Sequence, residues 1–341
     1  MRLDEACEAT FARHETFHPR HGWFRKAFLA ASRDRGAFFL SEDAPVRLGV
    51  GKNMVRSIRF WGIAAHLVAE ASHPDGGRLH YTRPTNFGVG LLGSEGLDPY
   101  MENPATWWWL HWMLHAPTSL LPAWWIVLNE MNAVEFDADL AERVCAEVIS
   151  ASIWEPPHPS SIHKDVGAFL RTYARGKEGG RARFDDQFGC PLQDLRLVTI
   201  SSTGYRLATG RPQNLPGEVV LAALLDYVSL TTTGASTASL ARLATTPGAP
   251  GRIFRMTEDS LVDLVTPVIA GHKSLSLSAP AGAIQIGWRG DPSKLAHRLL
   301  CDYFGREPDA VAAVAGPEAR LANLDPLVEL RIIQDSLEVV L

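Results

Sequence analysis

Residues 49–61 read Gly-Val-Gly-Lys-Asn-Met-Val-Arg-Ser-Ile-Arg-Phe-Trp, and this stretch decides how the N-terminal part of the chain folds. Its two glycines predict a tight turn, and the residues after them predict a helix with two faces. At about 100° per residue, Val55, Ile58 and Trp61 fall on one side, as in an amphipathic helix. We expect this apolar side to face a core.

The polar residues of the same helix gather on other sides. Lys52, Arg56 and Arg59 fall together, with Asn53 beyond them. A helix in a DNA major groove uses long cations for phosphates or guanine edges and an amide for adenine. The pattern therefore predicts a DNA-reading helix. A basic helix face that is simply solvated would show the same residues, so this alternative stays open.

The flanking segments predict a small module around this helix. Residues 23–33 have helical spacing, and residues 42–48 fit a second short helix before the glycine turn. After the turn and its helix, residues 78–83 and 87–92 read as two strands of a hairpin. Three helices followed by a hairpin is the order of a winged helix-turn-helix, which we expect to span residues 1–96.

Local charge favours nucleic acid as the partner of this module. Residues 11–61 contain ten Lys and Arg against four Asp and Glu, whereas the whole chain carries a net charge of −5. A positive region on an acidic protein is the expected footprint of DNA binding. Arg20 and Lys26 belong to this region, and we add them to the predicted DNA contacts.

Composition bounds the class of protein. A chain of 341 residues with 46% hydrophobic and 21% charged residues is typical of two or three globular domains rather than of disorder. The charged N-terminal residues do not resemble a signal peptide. Four cysteines lie singly along the chain, which argues against a structural zinc site or a disulfide framework. We therefore expect a cytoplasmic protein with reduced thiols.

One aromatic segment resembles a membrane span. Residues 106–128 are strongly apolar, but they include two histidines and two prolines, Pro117 and Pro122. Two buried helices joined near Pro117 explain this composition better than a transmembrane helix. We therefore predict no contact with a membrane.

The rest of the chain predicts a mainly α fold with small β-hairpins, of the α+β class. We expect a helical domain over residues 97–183, ending in a basic linker, and a C-terminal α+β domain over residues 184–341. The latter contains a predicted helix over 236–244, a helix capped by Thr257 and a hairpin over 275–288. This order suggests a second winged-helix-like unit with less positive charge.

Two acidic segments are candidates for chemistry. His14 and Glu15 lie in a polar loop before the first helix, and Asp98 and Glu102 are spaced to share one helical turn. Clustered carboxylates can hold a divalent ion such as Mg²⁺ or Mn²⁺, and histidine can move a proton near neutral pH. We therefore predict His14, Glu15, Asp98 and Glu102 as catalytic residues, with the three carboxylates as metal ligands. Ordinary helix capping would explain the same acidic residues.

Several short strings resemble one bacterial family. They are His14-Glu-Thr-Phe17 with Pro19, Arg20 and Trp23; Leu48-Gly-Val-Gly-Lys-Asn-Met-Val55 with Trp61; Asp98-Pro-Tyr100 with Glu102 and Thr106; Asp165 with Tyr173; and Pro250-Gly-Arg-Ile-Phe254. Together they resemble the SspB-like family, formerly catalogued as a domain of unknown function. The resemblance spans about residues 11–290, and the 48–55 string is its most specific part.

The resemblance implies a function in DNA phosphorothioation. SspB-like proteins are described as DNA nickases that work with a cysteine desulfurase, an ATPase and a PAPS-reductase-like enzyme in antiphage defence. The resemblance supplies no catalytic motif, and the chain has neither a PD-(D/E)xK nor an HNH pattern. A second hypothesis is therefore a non-catalytic subunit that recognises double-stranded DNA and delivers it to these partners, and a third is a transcription regulator. A homodimer is compatible with each of these three hypotheses.

Overall fold

The fold of the chain is given by a computed structural model that describes residues 1–72, 80–175 and 189–323. It combines many helices with small antiparallel sheets, which confirms the expected α+β class. The helices are α1 (Leu3–Ala6), α2 (Trp23–Ala31), α3 (Ala44–Leu48), α4 (Lys52–Ala64), α5 (Asn86–Leu92), α6 (Pro104–His115), α7 (Pro122–Asn129), α8 (Ala138–Ser150), α9 (Pro159–Tyr173), α10 (Gly217–Thr231), α11 (Leu240–Thr245), α12 (Pro250–Ile253), α13 (Glu258–Ala270), α14 (Pro292–Phe304) and α15 (Gly316–Ala319).

The strands form three sheets. The strands are β1 (Val68–Ser72), β2 (His80–Pro84), β3 (Glu135–Phe136), β4 (Val198–Ile200), β5 (Tyr205–Leu207), β6 (Thr237–Ser239), β7 (Leu275–Ser278) and β8 (Gln285–Trp288). Pairing is antiparallel throughout, in the orders β1-β2, β3-β5-β4 and β6-β8-β7.

In the N-terminal unit, α4 packs against α2, α3 and the β1-β2 hairpin. Val55, Ile58 and Trp61 are buried as the helical spacing predicts. Close approach of α4 to α2 depends on Gly62, because a Cβ there would lie 2.6 Å from the Cβ of Ala27. The inner face of α4 therefore belongs to the core, and its outer face carries the exposed residues Lys52, Asn53 and Arg56.

The predicted hairpin of this unit is displaced. Its strands are residues 68–72 and 80–84, with Val68 opposite Pro84, and residues 87–92 form helix α5 instead of a strand. The Thr85 side chain caps α5 by accepting a hydrogen bond from the Gly88 backbone N–H. At Gly88 and Gly90, a Cβ would meet the backbones of Leu67 and Ala312 at 2.1 and 2.3 Å. A glycine-rich apolar run shows no clear period, so the sequence did not separate helix from strand here.

The aromatic segment forms the two buried helices that were expected, α6 and α7. The tryptophans at 108, 109, 112, 124 and 125 are all buried. Asn103 caps α6, and Pro122 lies in the first turn of α7. Among the described residues, no helix has both the length and the apolar character that a membrane span requires.

Residues 217–288 of the C-terminal unit have the order α10, β6, α11, α12, α13, β7, β8. The helix from Thr257 and the hairpin are as predicted, but residues 237–239 form strand β6 rather than the start of a helix. Ser239 then caps α11 by accepting a hydrogen bond from the Arg242 N–H. Three residues are too few for a strand pattern to be read from sequence alone.

Among the described residues, a small buried hydrophobic cluster comprises Ala30, Phe38, Ala44 and Val55, and a large one joins residues from Leu3 to Ala319. The C-terminal segment closes it, since the Asn86 N–H bonds the Leu321 carbonyl and the Asn323 N–H bonds the Pro84 carbonyl. The sequence also predicts a turn at Asp185 and Asp186, more readily solvated than metal-binding, and a strand over 328–333. Both of these, and nearly all of the basic linker at 175–183, lie outside the described residues.

Candidate nucleic-acid interface

The turn between α3 and α4 exposes the N-terminus of α4. Gly49 ends α3 in a left-handed conformation with φ 65°, and Gly51 is the N-cap of α4 with φ −69°. No side chain caps the first turn of α4. A Cβ at Gly51 would meet nothing within 4 Å. Backbone N–H groups at such a helix end attract anions, because they and the helix dipole are positive.

Three predicted DNA contacts lie on the exposed side of α4. Lys52, Asn53 and Arg56 are all exposed. Lys52 and Asn53 are the first two residues of the helix, next to its uncapped N–H groups. The exposed side therefore combines two cations, one amide and a helix N-terminus.

Arg59 has a different environment from its neighbours on α4. Its Nε donates to Thr82 Oγ1 at 2.8 Å, and its Nη2 donates to Glu70 Oε1 at 2.7 Å. Both partners lie on the β1-β2 hairpin. Arg59 thus ties α4 to the hairpin, which the helical spacing could not indicate.

Arg56 instead reaches the loop that precedes α2. Its Nη1 lies 3.6 Å from Glu15 Oε1, with half or more of the Arg56 side chain exposed. Glu15 has φ 50° and Thr16 has φ 65°, which is the left-handed region. The Ser57 hydroxyl and the Trp61 indole N–H hold this loop by bonding the carbonyls of His14 and Phe17. The loop therefore places Glu15 beside the exposed side of α4.

The two remaining predicted DNA contacts lie on α2 and just before it. Lys26 is exposed, and its Nζ donates to the Leu48 carbonyl at 3.3 Å, at the end of α3. The Arg20 guanidinium stacks 6.0 Å from the Phe17 ring and 5.7 Å from the Trp23 ring. Stacking on aromatic faces fixes an arginine in place.

His14 is buried beneath this surface. It is 1% exposed, and its Nε2 lies 2.7 Å from Asp165 Oδ1, which also accepts the Ala12 N–H. The imidazole lies 5.6 Å from the Trp124 ring and is stacked 6.2 Å from that of Trp61. In this position His14 contacts no solvent and orients the loop that carries Glu15.

The Asp98 carboxylate is used inside the protein. It accepts the backbone N–H groups of Glu102 and Asn103 and the hydroxyl of Thr106. This arrangement prepares the start of α6, and Asp98 is 8% exposed. Glu102 is exposed. The spacing of Asp98 and Glu102 thus reflects a turn before a helix rather than a shared helical face.

Comparison with known proteins identifies the family. A family model described as a protein of unknown function, DUF4007, matches residues 11–304. An SspB crystal structure is similar at a TM-score of 0.83 and 32% sequence identity, covering 100% of this chain and 97% of that chain. The chain belongs to the DUF4007 family and is SspB-like.

A magnesium ion-bound SspB crystal structure is similar at a TM-score of 0.85 and 32% identity, with 99% of each chain covered. Curated protein sequences give no match. The likeness to solved structures therefore extends from end to end of the chain.

That relative holds a magnesium ion, whereas the described metal donors of this chain are dispersed. Within the described ranges, no three His, Cys, Asp or Glu side chains gather into a group able to hold a metal ion. The structure thus does not bring Glu15, Asp98 and Glu102 together as a three-carboxylate site. Mg²⁺ commonly keeps several waters and uses one or two carboxylates plus substrate phosphates. Glu15 and Glu102 retain accessible carboxylates for that mode, whereas Asp98 is engaged with backbone N–H groups.

Proposed function

We propose that this protein is the DNA-binding component of a DNA phosphorothioation system used in antiphage defence, and that it nicks DNA to allow sulfur insertion. The observation that carries the DNA-binding part is the exposed, uncapped start of α4 with Lys52, Asn53 and Arg56 around it. The assignment to a phosphorothioation system is supported by end-to-end similarity to SspB.

In this proposal the N-terminal unit acts as a winged helix-turn-helix. Its helix α4 enters the major groove, the α3–α4 turn approaches the backbone, and the β1-β2 hairpin acts as the wing. A DNA phosphate binds the uncapped N–H groups of α4 and is neutralised by Lys52 and Arg56. Arg59 holds the hairpin at its angle to α4, and Lys26 and Arg20 extend the positive surface.

The proposed partners are those that the family resemblance implies: a cysteine desulfurase, an ATPase and a PAPS-reductase-like enzyme. Nicking requires a divalent ion, Mg²⁺ or Mn²⁺, that arrives with the DNA phosphate and meets an accessible carboxylate. Glu15 is the best placed of these, because its loop adjoins the DNA-facing side of α4. His14 and Asp98 act by positioning the loops around it.

Duplex binding is tested with Lys52→Gln/Arg56→Gln. We expect weaker binding and a salt dependence whose slope falls by about two, because about one counterion is released per phosphate contact. The control is Lys273→Gln/Arg289→Gln, which removes the same charge from exposed positions of the C-terminal unit. Equal loss in both variants would show that net charge, not α4, determines binding.

Nicking is tested on supercoiled plasmid with purified protein and Mg²⁺ or Mn²⁺. We expect open-circular product, and its loss with a chelator and with Glu15→Gln. Glu102→Gln tests the second accessible carboxylate. If no nicks form under any condition while duplex binding persists, the protein is the non-catalytic recognition subunit that delivers DNA to its partners.

A further inference from the structure

A second basic surface is formed by residues that are distant in sequence from α4. Residues 194–197, the loop 208–214 after β5, and Phe254 with Arg255 enclose a cleft of about 220 Å³, and Trp108 of α6 forms part of its floor. The cleft brings Trp108 and residues 254–255 together with residues 194–197 and 208–214, which flank the β4-β5 hairpin, and no motif of the sequence pointed to it.

Charge in this cleft is predominantly positive. Three arginines line it, Arg196, Arg211 and Arg255, against one aspartate, Asp194. Asp194 faces a further arginine, since its Oδ1 lies 3.9 Å from Arg175 Nη1. Within the described part of the chain, none of the three lining arginines forms an ion pair with a carboxylate within 4 Å. The cleft therefore presents cations without the acidic partners that surface arginines commonly have.

Backbone conformation fixes two of these arginines. Arg196 has φ 53° and Arg255 has φ 58°. Non-glycine residues rarely adopt this left-handed region, and such backbone strain concentrates at functional sites. The Arg255 carbonyl accepts the N–H of Gly210, so the loop 208–214 is tied to Arg255.

The Arg255 guanidinium is half-buried and oriented. Its Nε donates to the Ala208 carbonyl at 3.2 Å and its Nη1 to the Leu128 carbonyl at 3.0 Å. Burial, and then repulsion from Arg252, lower the pKa of Arg255. A guanidinium still remains protonated at neutral pH. The two carbonyls thus hold a positive charge at a partly desolvated position, where an approaching anion would stabilise it further.

The floor of the cleft is apolar and rigid. Trp108 and Phe254 are buried, with ring centroids 6.0 Å apart. Behind them His111 Nε2 bonds the Ile253 carbonyl, and its Nδ1 lies 2.7 Å from the Tyr173 hydroxyl. Burial lowers the pKa of His111 to about 4, so this support is neutral at physiological pH. An apolar wall strengthens the attraction between a bound anion and the arginines, because it excludes water.

We propose that this cleft binds a backbone phosphate of DNA at a site distinct from α4. Arg196, Arg211 and Arg255 supply the positive charge, and the exposed side chains of Thr209, Gln213 and Asn214 supply neutral hydrogen-bonding groups at the rim. The cleft is larger than a phosphate ion needs and has room for a phosphodiester with its attached sugar. The proposal rests on the proposed function, and it adds a second contact that holds the strand beyond the segment read by α4.

The test compares Arg196→Gln/Arg211→Gln with Arg143→Gln/Arg298→Gln. Both variants lose two positive charges at exposed positions, but the second pair lies outside the cleft. Binding of a labelled single-stranded oligonucleotide and of a labelled duplex is measured against salt, with inorganic phosphate as competitor. We expect the cleft variant to bind DNA about 10-fold more weakly, with a slope lower by one to two, and the control to match wild type. Arg211→Gln alone, at an exposed position, gives the same direction if the double variant does not fold.

Three results would overturn the proposal. The cleft variant could bind DNA as the control does at every salt concentration. Alternatively, the cleft substitutions could change only binding of inorganic phosphate or a mononucleotide, which would make the cleft a small-anion site. A uniform loss in both variants would assign the effect to net charge.

Failure of the proposed function gives a different pattern. If Lys52→Gln/Arg56→Gln binds duplex normally while the cleft variant does not, α4 is not the reader and the cleft contact stands. If both sites contribute, combining the two sets of substitutions adds their free-energy losses, because they lie on separate elements. A combined variant no weaker than Lys52→Gln/Arg56→Gln alone contradicts the cleft.

Discussion

Two helices of equal length occupy corresponding places in this molecule and differ in almost every electrostatic respect. Helix α4 has 13 residues and precedes the β1-β2 hairpin, and α13 has 13 residues and precedes the β7-β8 hairpin. Thr257 caps α13, and Glu258 and Asp259 lie in its first turn. Gly51 precedes α4, and Lys52 and Asn53 begin it.

If α4 binds DNA as proposed, the difference distinguishes a helix start that attracts an anion from one that its own residues stabilise. Acidic residues at the N-terminus of α13 complement the helix dipole, each contributing about 0.3–1 kcal/mol. Lys52 opposes the dipole of α4, and the N-cap adds no side chain to offset this. Sites where a sequence departs from local stability are where function is expected. Element order alone therefore does not indicate which of the two helices binds a ligand.

The largest expected effect concerns a buried ion pair between α10 and the residue that follows α15. Asp226 of α10 is fully buried and accepts from Trp112 Nε1 at 2.7 Å and from Arg320 Nη2 at 2.8 Å. Burial alone would raise the pKa of Asp226, but Arg320 and the hydrogen bonds hold it below its ordinary 3.8. Asp226→Ala leaves Arg320 unpaired and should lower the free energy of unfolding by about 3–5 kcal/mol.

Chemical denaturation checks this prediction. Because the pKa of Asp226 is depressed on folding, its contribution is complete well above pH 3.8 and is lost as pH falls below that value. Glu135→Ala removes an exposed partner of Arg206 and serves as the control, with little expected change in stability. One cooperative unfolding transition in both variants would fit a core shared by the regions that contain α4 and α13. Separate unfolding transitions for these regions would contradict a shared core.

The next effect gives α4 the charge of α13. Lys52→Glu/Arg56→Glu should weaken duplex binding by about 100-fold, since like charges at the phosphates cost several kcal/mol. The reciprocal change, Asp259→Lys/Asp263→Lys, alters exposed positions of α13 and should leave duplex affinity within about twofold of wild type. Fluorescence anisotropy at fixed salt measures both. If the α13 variant binds more than 10-fold tighter, positive charge determines affinity and the position of α4 on the fold contributes little.

Sequence reasoning succeeded where one local period determined the structure. The faces of α4, the division of the Trp-rich segment into α6 and α7, and the Thr257 cap all follow from residues within a few turns of each other. The β1-β2 register and the helical state of residues 86–92 depended on contacts with distant backbone, as at Gly88 and Gly90. No local pattern carries that information.

The candidate site shows the same limit. The exposed cations of α4 were predictable, but the partners of Arg59 on the hairpin were not. Asp165 lies 151 residues from His14, with which it pairs, and no spacing rule connects them. The cleft arginines come from three separate segments. Long-range pairing decides which titratable residues are buried supports and which face solvent.

A smaller effect concerns discrimination between DNA sequences. Asn53 is exposed at the second position of α4, where its amide could bond an adenine edge. Asn53→Ala should reduce the gap between the preferred and other duplexes by about 1–3 kcal/mol, with little change in the salt slope. A selection on random duplexes with wild type and variant measures this gap. An unchanged preference would leave Asn53 with no part in reading bases.

The smallest effect isolates the helix terminus itself. Gly51 has φ −69° and ψ 157°, which other residues adopt, and a Cβ there meets nothing within 4 Å. Gly51→Asn and Gly51→Asp should both fold and, as better N-caps, stabilise α4 by a few tenths of a kcal/mol. The two side chains have nearly the same shape and differ by one charge.

If a DNA phosphate binds the N–H groups of α4, Gly51→Asp competes with it and should bind duplex several-fold more weakly than Gly51→Asn. Equal affinities with equal stabilities would mean that no phosphate lies at this terminus, and the reading surface would then begin at Arg56. The corresponding change at α13, Thr257→Asp against Thr257→Asn, should leave duplex binding unchanged, since that terminus already carries acidic residues.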